Sequence, residues 1–173
     1  MRLYGSRIPF ITKEIVETLI TVELIEILPA NVKEVELDVE SVLKEYLRAE
    51  RQLTEEAKDI AHGRGLDYSA HQKIKRQLAE RKKFGLYEDS VGYIAQQMIE
   101  TLLHTSWVEE IFAEDNDIRR ALAPVLRKHM QAGDSLDQEV RKRIKNLQEG
   151  TSDWEIQYEQ TLARLKDAKG FAD

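Results

Sequence analysis

Residues Leu86 to Leu103, LYEDSVGYIAQQMIETLL, repeat residues Leu3 to Ile20, LYGSRIPFITKEIVETLI, at a constant offset of 83. Six of the eighteen aligned positions are identical: Leu3/Leu86, Tyr4/Tyr87, Ile11/Ile94, Glu17/Glu100, Thr18/Thr101 and Leu19/Leu102. Random pairing at ordinary residue frequencies would give roughly one. An internal repeat constrains a fold more than any local propensity, because both copies must be able to adopt one structure. Residues 1–85 and 86–173 are therefore expected to form two copies of one unit.

The content of each copy follows from apolar periodicity. Ile8, Ile11, Ile15, Leu19 and Val22 form a stripe at helical spacing, matched by Val91, Ile94, Met98 and Leu102. Val16 and Ile20, with Ile99 and Leu103, widen it, so this helix is expected to be buried on two sides. Ser6 and Asp89 are N-cap residue types preceding these runs, and Pro9 falls in a first turn, where its missing N–H costs little. The next segment, KEVELDVE from Lys33 to Glu40, alternates like a half-buried strand. Its second copy has Ile118, Arg120 and Leu122 at the positions of Val35, Leu37 and Val39, which breaks the alternation. Val35/Ile118, Val39/Leu122, Val42/Val125 and Leu43/Leu126 keep helical spacing, so both copies read as a long helix.

Asn31 with Glu34, and Asp115 or Asn116, are plausible helix starts. Pro124 lies too deep for a first turn and is expected to kink or split the second long helix. Gly63 and Gly65 close the first long helix and Gly150 the second. A third helix is expected from about Tyr68 to Lys83 and again from about Trp154 to Lys169. Eight glycines and three prolines in 173 residues suit such long unbroken segments. The expected class is all-α: two tandem three-helix repeats packed about a pseudo-two-fold axis, as a homodimer packs one patch on its own copy.

The opening MRLYGSRIPFITKEIVETL, the run VELDVESVLKEYLRAER and HTSWVEEIFAEDNDIRR from His104 to Arg120 resemble a bacterial family known only as domain of unknown function five hundred and seven. The resemblance covers most of the chain. It implies a unit that also occurs singly at about half this length, consistent with a tandem double copy here. It brings no activity, ligand or catalytic residue with it.

Composition narrows the chemistry. Cysteine is absent, which removes disulfides, thiolate metal ligands and a Cys nucleophile together and fits a reducing cytoplasm. The start, MRLYGSRIPF, lacks the apolar run of a secretory signal, and Ile15 to Leu28 is cut by Glu17, Glu23 and Glu26, so no membrane span is expected. Net charge is −6. Residues 1–85 hold 15 basic and 15 acidic residues, so the whole excess falls in the second copy. Such a balance opposes non-specific nucleic-acid binding by the molecule as a whole.

The four histidines, His62, His71, His104 and His129, are not repeated between copies and carry no metal-ligand spacing. No phosphate loop, nucleophile elbow or dinucleotide fingerprint is present, so no cofactor is expected. The repeated polar pair Glu17 and Glu100 could act as acid and base, or hold a cation, if the copies brought the two together. The plainer reading has each solvated or paired with Lys44 or Arg127. Lys73, Lys75, Arg76, Arg81 and Lys82, with Lys83, make a basic helix able to face an acidic protein or a phosphate backbone, though no aromatic residues interleave them for base stacking. Trp107 and Trp154 occur only in the second copy and suit either core or a partner interface. The leading expectation is a non-catalytic interaction or scaffold protein with another protein as partner. A nucleic-acid role for residues 71–83 follows it, and carboxylate chemistry at Glu17 and Glu100 comes last.

Overall fold

Apolar residues at i, i+4 and i+7 make amphipathic helices, and in the computed structural model, which describes residues 2–148 and 151–169, six α-helices form. They are α1 (Ile8–Thr21), α2 (Val32–Gly63), α3 (His71–Arg81), α4 (Ser90–His104), α5 (Asp115–Arg143) and α6 (Ser152–Lys169). The all-α class holds. Two short strands, β1 (Ile25–Glu26) and β2 (Glu110–Ile111), pair antiparallel between α1 and α2 on one side and α4 and α5 on the other. Neither strand is visible in the periodicity, because two residues are too few to show alternation.

Residues 33–40 are helical within α2. Val35, Val39 and Leu43 are buried while Leu37 is exposed, as a helical phase requires and an alternating strand forbids. The expected side-chain caps do not form. Short 3-10 turns at Gly5–Arg7, Pro29–Asn31 and Tyr87–Asp89 lead into α1, α2 and α4, and the Ser6, Asn31 and Asp89 side chains make no cap bond. Glu34 in α2 and Asp115 and Asp117 in α5 instead place negative charge in first turns, where the helix dipole favours it. Pro9 sits in the first turn of α1, as expected. α5 runs through Pro124 without splitting.

Helix ends follow one pattern in the first half. Gly65, at φ +61°, ends α2, with Leu66 N–H bonded to Ala61 O and Gly65 N–H to His62 O. Glu23 and Lys83 take the same left-handed conformation after α1 and α3, with the same two bonds. Only glycine adopts that backbone freely, so both ends carry strain. Gly150 lies outside the described residues.

The core forms where the helices converge. α1 packs against α2 and α5, α4 against α5 and α2, α3 against α2, and α6 against α5. One cluster joins Ile11, Ile15 and Leu19 to Leu43, Met98, Leu102, Leu122 and Leu126, drawing on both halves of the chain. Val16 and Ile99 belong to it, but Ile20, Leu103 and Val22 are exposed, so α1 and α4 are less enclosed than their composition suggests. Two smaller clusters lie farther out. Leu53, Ala57, Ile74 and Leu78 of α2 and α3 take in Leu86, and Leu136, Val140 and Leu165 of α5 and α6 take in Tyr4. Each opening segment thus packs on the outer cluster of the other half.

Candidate interaction surface

The β1–β2 ribbon is where four helix ends meet, and its register sets what the molecule shows there. Ile25 pairs with Ile111 and Glu26 with Glu110. Phe112 N–H donates to Leu24 O at 2.9 Å and Glu109 N–H to Glu26 O at 2.9 Å, extending the pairing on both sides. Ile25 is buried beneath, while Glu26 and Glu110 are exposed and directly opposite one another. Like charges in that position repel.

Among the described residues, most of the large apolar side chains left in solvent lie in the ribbon connections and the helix ends that adjoin them. Trp107 is 40% and Phe112 58% exposed, and Ile20, Val22, Leu28, Leu37 and Leu103 are also exposed. They come from the ends of α1 and α4, the ribbon flanks and the start of α2. Thr105 Oγ1 donates to Asp38 Oδ2 at 2.6 Å, fixing the segment before Trp107 against α2. Apolar side chains gathered at one end of a molecule mark a surface for contact rather than scattered exposure. Of these only Trp107 stood out in the sequence. The run WVEEIF from Trp107 to Phe112, apolar pairs around two acids between helices, was the available signal for Phe112.

Glu17 lies 3.8 Å from Lys13, and Glu100 accepts from Gln96 at 3.0 Å and Gln97 at 3.5 Å, so each finds partners on its own helix. Lys44, the expected partner of Glu17, is 2.6 Å from Glu40. On α3, Lys75 is buried and 2.9 Å from Glu50, and Lys82 pairs with Glu56, both acids on α2. Arg76 lies 5.3 Å over the Tyr87 ring. Lys73, Arg81 and Lys83 are exposed. The basic helix therefore spends two of its lysines, and a third cation, on the fold itself.

Trp154 stacks on Tyr158 with 4.9 Å between ring centroids, and Arg141 covers it at 5.3 Å. This pair borders a cleft of about 350 Å³ between the outer ends of α2 and α3 and those of α5 and α6. The cations lining the cleft face carboxylates: Arg2 and Arg141 lie 3.2 and 2.8 Å from Asp137, and Lys58 lies 3.8 Å from Glu155. Such balance describes a seam holding the halves together, not a surplus of charge awaiting a ligand.

Asp137 is the centre of that seam. Burial pushes its carboxyl up, but the Tyr158 hydroxyl, which donates to it, and the guanidinium groups of Arg141 and Arg2 outweigh burial and hold it below the ordinary value of 3.8. A depressed folded value contributes stability above the unfolded value, and that stability is lost as pH falls through the folded one. Asp137→Asn is expected to lower the urea midpoint at neutral pH. The difference from the parent protein should narrow on acidification below about pH 4, and a difference independent of pH would contradict this account.

His129 sits buried between α1 and α5, with one ring nitrogen 3.0 Å from Arg7 and the other 2.8 Å from Glu14. An arginine can only donate, so the first nitrogen accepts and the second carries the proton toward Glu14. Lys128 donates to both Glu14 oxygens and, with His129, holds that carboxyl below its ordinary range. His104 bonds the Glu100 carbonyl of its own helix, and His71 is buried beside the Gln72 amide. Among the described residues no group of three or more His, Asp or Glu is placed to hold a metal ion, and no helix is long and apolar enough to cross a membrane.

The family whose description is "Protein of unknown function (DUF507)" matches residues 1–171. No curated protein matches the sequence.

Proposed function

The chain belongs to the DUF507 family, and we propose that it is a non-catalytic helical interaction protein of the cytoplasm, built from tandem repeats at 1–85 and 86–173 related by a pseudo-two-fold. Several features support the duplication. A 3-10 turn, a helix, a two-residue strand, a long helix and a further helix recur in the same order. The first helix of each half, α1 or α4, packs on its own long helix and on that of the other half, and the last, α3 or α6, packs on its own. With Ile25 opposite Ile111, an axis relating positions 83 apart would cross the ribbon between residues 26 and 27 and between 109 and 110. At the ribbon equivalent segments of both repeats lie side by side.

The observation that carries the interaction reading is the exposure of Trp107, Phe112, Leu103, Leu28 and Val22 in the ribbon connections and the helix end that leads into them. Leaving these side chains about half exposed forgoes about 1 kcal/mol of burial apiece, which a partner would recover on docking. A photoreactive benzophenone residue at position 112 is expected to trap one partner of defined mass in the cells that make the protein. The same residue at position 66, where Leu66 is exposed on the far end, should not. Equal trapping at both positions, or none at 112, would remove this reading.

A further inference from the structure

The surface at the ribbon carries a charge signature that specifies what can cover it. Residues 17–40 hold seven acids and one lysine, and residues 100–120 six acids and two arginines. The excess lies in the two connections that form the ribbon, which carry Glu23, Glu26, Glu109, Glu110 and Glu114 and no cation, and at the start of α2, with four acids to one lysine, while the start of α5 is balanced; these segments meet at one end. The remainder of the chain holds 23 basic against 19 acidic residues. A molecule of net charge −6 is thus polarised, with its excess of acids in the same segments as Val22, Leu28, Leu37, Trp107 and Phe112.

We propose that the ribbon end is a docking site for a basic, amphipathic polypeptide segment, one that presents two or three apolar side chains among lysines and arginines. This deepens the interaction reading above and rests on it. Apolar burial against Trp107 and Phe112 supplies the affinity, as aromatic residues at the centre of an interface commonly do. The acidic rim selects the partner and speeds its arrival, because complementary charge acts mainly on encounter and on rejection of wrong partners. Glu26 and Glu110 sharpen the selection. They face each other across the ribbon, exposed, and a cation set between them would replace repulsion with attraction. The same rim excludes a second copy of this chain docking ribbon to ribbon, since acid would then meet acid. An acidic or neutral apolar segment would leave the rim charges desolvated against like charge or no charge.

The test is a titration of the full chain into a fluorescein-labelled synthetic peptide of about five helical turns. The peptide carries leucine at i and i+7 and phenylalanine at i+4, with lysine and arginine elsewhere. A matched peptide has glutamate in place of every cation. The basic peptide is expected to bind with an affinity that falls as salt rises, and the acidic one at least about tenfold more weakly. Trp107→Ala with Phe112→Ala, and separately Glu26→Lys with Glu110→Lys, should each weaken binding by about tenfold or more. Asp59→Lys with Asp167→Lys, exposed acids far from the ribbon, should change it less than about twofold. Equal weakening by that distant pair, equal binding of the acidic peptide, or binding untouched by the ribbon substitutions would each overturn the proposal. If neither peptide binds while position 112 still traps a partner in cells, the basic occupant is refuted and the interaction reading stands. If both experiments fail, both readings fall.

Discussion

Gly133→Ala is expected to destabilise the protein by about 1–3 kcal/mol and to release the N-terminal segment from α5. A methyl group on Gly133 would lie 2.4 Å from the Arg2 carbonyl oxygen and 2.9 Å from two Tyr4 ring carbons. The first of these is backbone, which cannot rotate away. Accommodating the methyl means moving residues 2–4 outward, withdrawing Tyr4 from the α5–α6 cluster and Arg2 from Asp137. Against this stands the gain of about 1 kcal/mol when alanine replaces glycine inside a helix. Gly92→Ala separates the two effects, because Gly92 is exposed in α4 and its added methyl meets nothing within 4 Å. That variant is expected to be stabilised by about 0.5–1 kcal/mol. Urea denaturation of both, with hydrogen exchange over residues 2–7, checks the pair. A Gly133→Ala protein as stable as Gly92→Ala, with residues 2–7 still protected, would refute the close-approach argument.

Leu43→Ala is expected to cost about 2–5 kcal/mol, and the loss should register in both halves of the chain. Leu43 is fully buried in the cluster that also contains Met98, Leu102, Leu122 and Leu126. Both tryptophans lie in the second half, so their fluorescence reports there, while far-UV circular dichroism reports on every helix. Urea transitions followed by the two signals should coincide, with midpoints lowered together by about 1–2 M. A fluorescence transition that ignored a cavity made in the first half would mean that the halves unfold separately.

The pattern of what was legible in the sequence has a physical cause. α1, α2, α4 and α5 were readable because helix formation leaves a local imprint: Ile11, Ile15 and Leu19 recur every third or fourth residue whatever they touch. The ambiguity at residues 33–40 was removed by the second copy, since Arg120 stands where an alternating strand would need the counterpart of Leu37. Asn31 and Asp89 do stand at the N-caps of α2 and α4, and Ser6 one residue before that of α1, but their side chains make no cap bond: the chain enters each helix through a 3-10 turn, with backbone bonds such as Arg7 N–H to Tyr4 O. Ile20 and Leu103 were expected to widen a buried stripe. Each follows a fully buried leucine, Leu19 or Leu102, and lies about 100° around the helix from it, so the last turn keeps one side in the core and shows the other to solvent.

The repeat at an offset of 83 and the 3.6-residue period determined the helical class and the ordering of the elements, because both express bonding between near neighbours along the chain. Tertiary structure alone decided that Lys75 would turn inward to Glu50, that Asp137 would gather two arginines and a tyrosine, and that Glu26 would face Glu110 beside an exposed Trp107 and Phe112. Those outcomes depend on which distant segments arrive at the same place, and the spacing of residues in one segment holds no record of what another segment will cover.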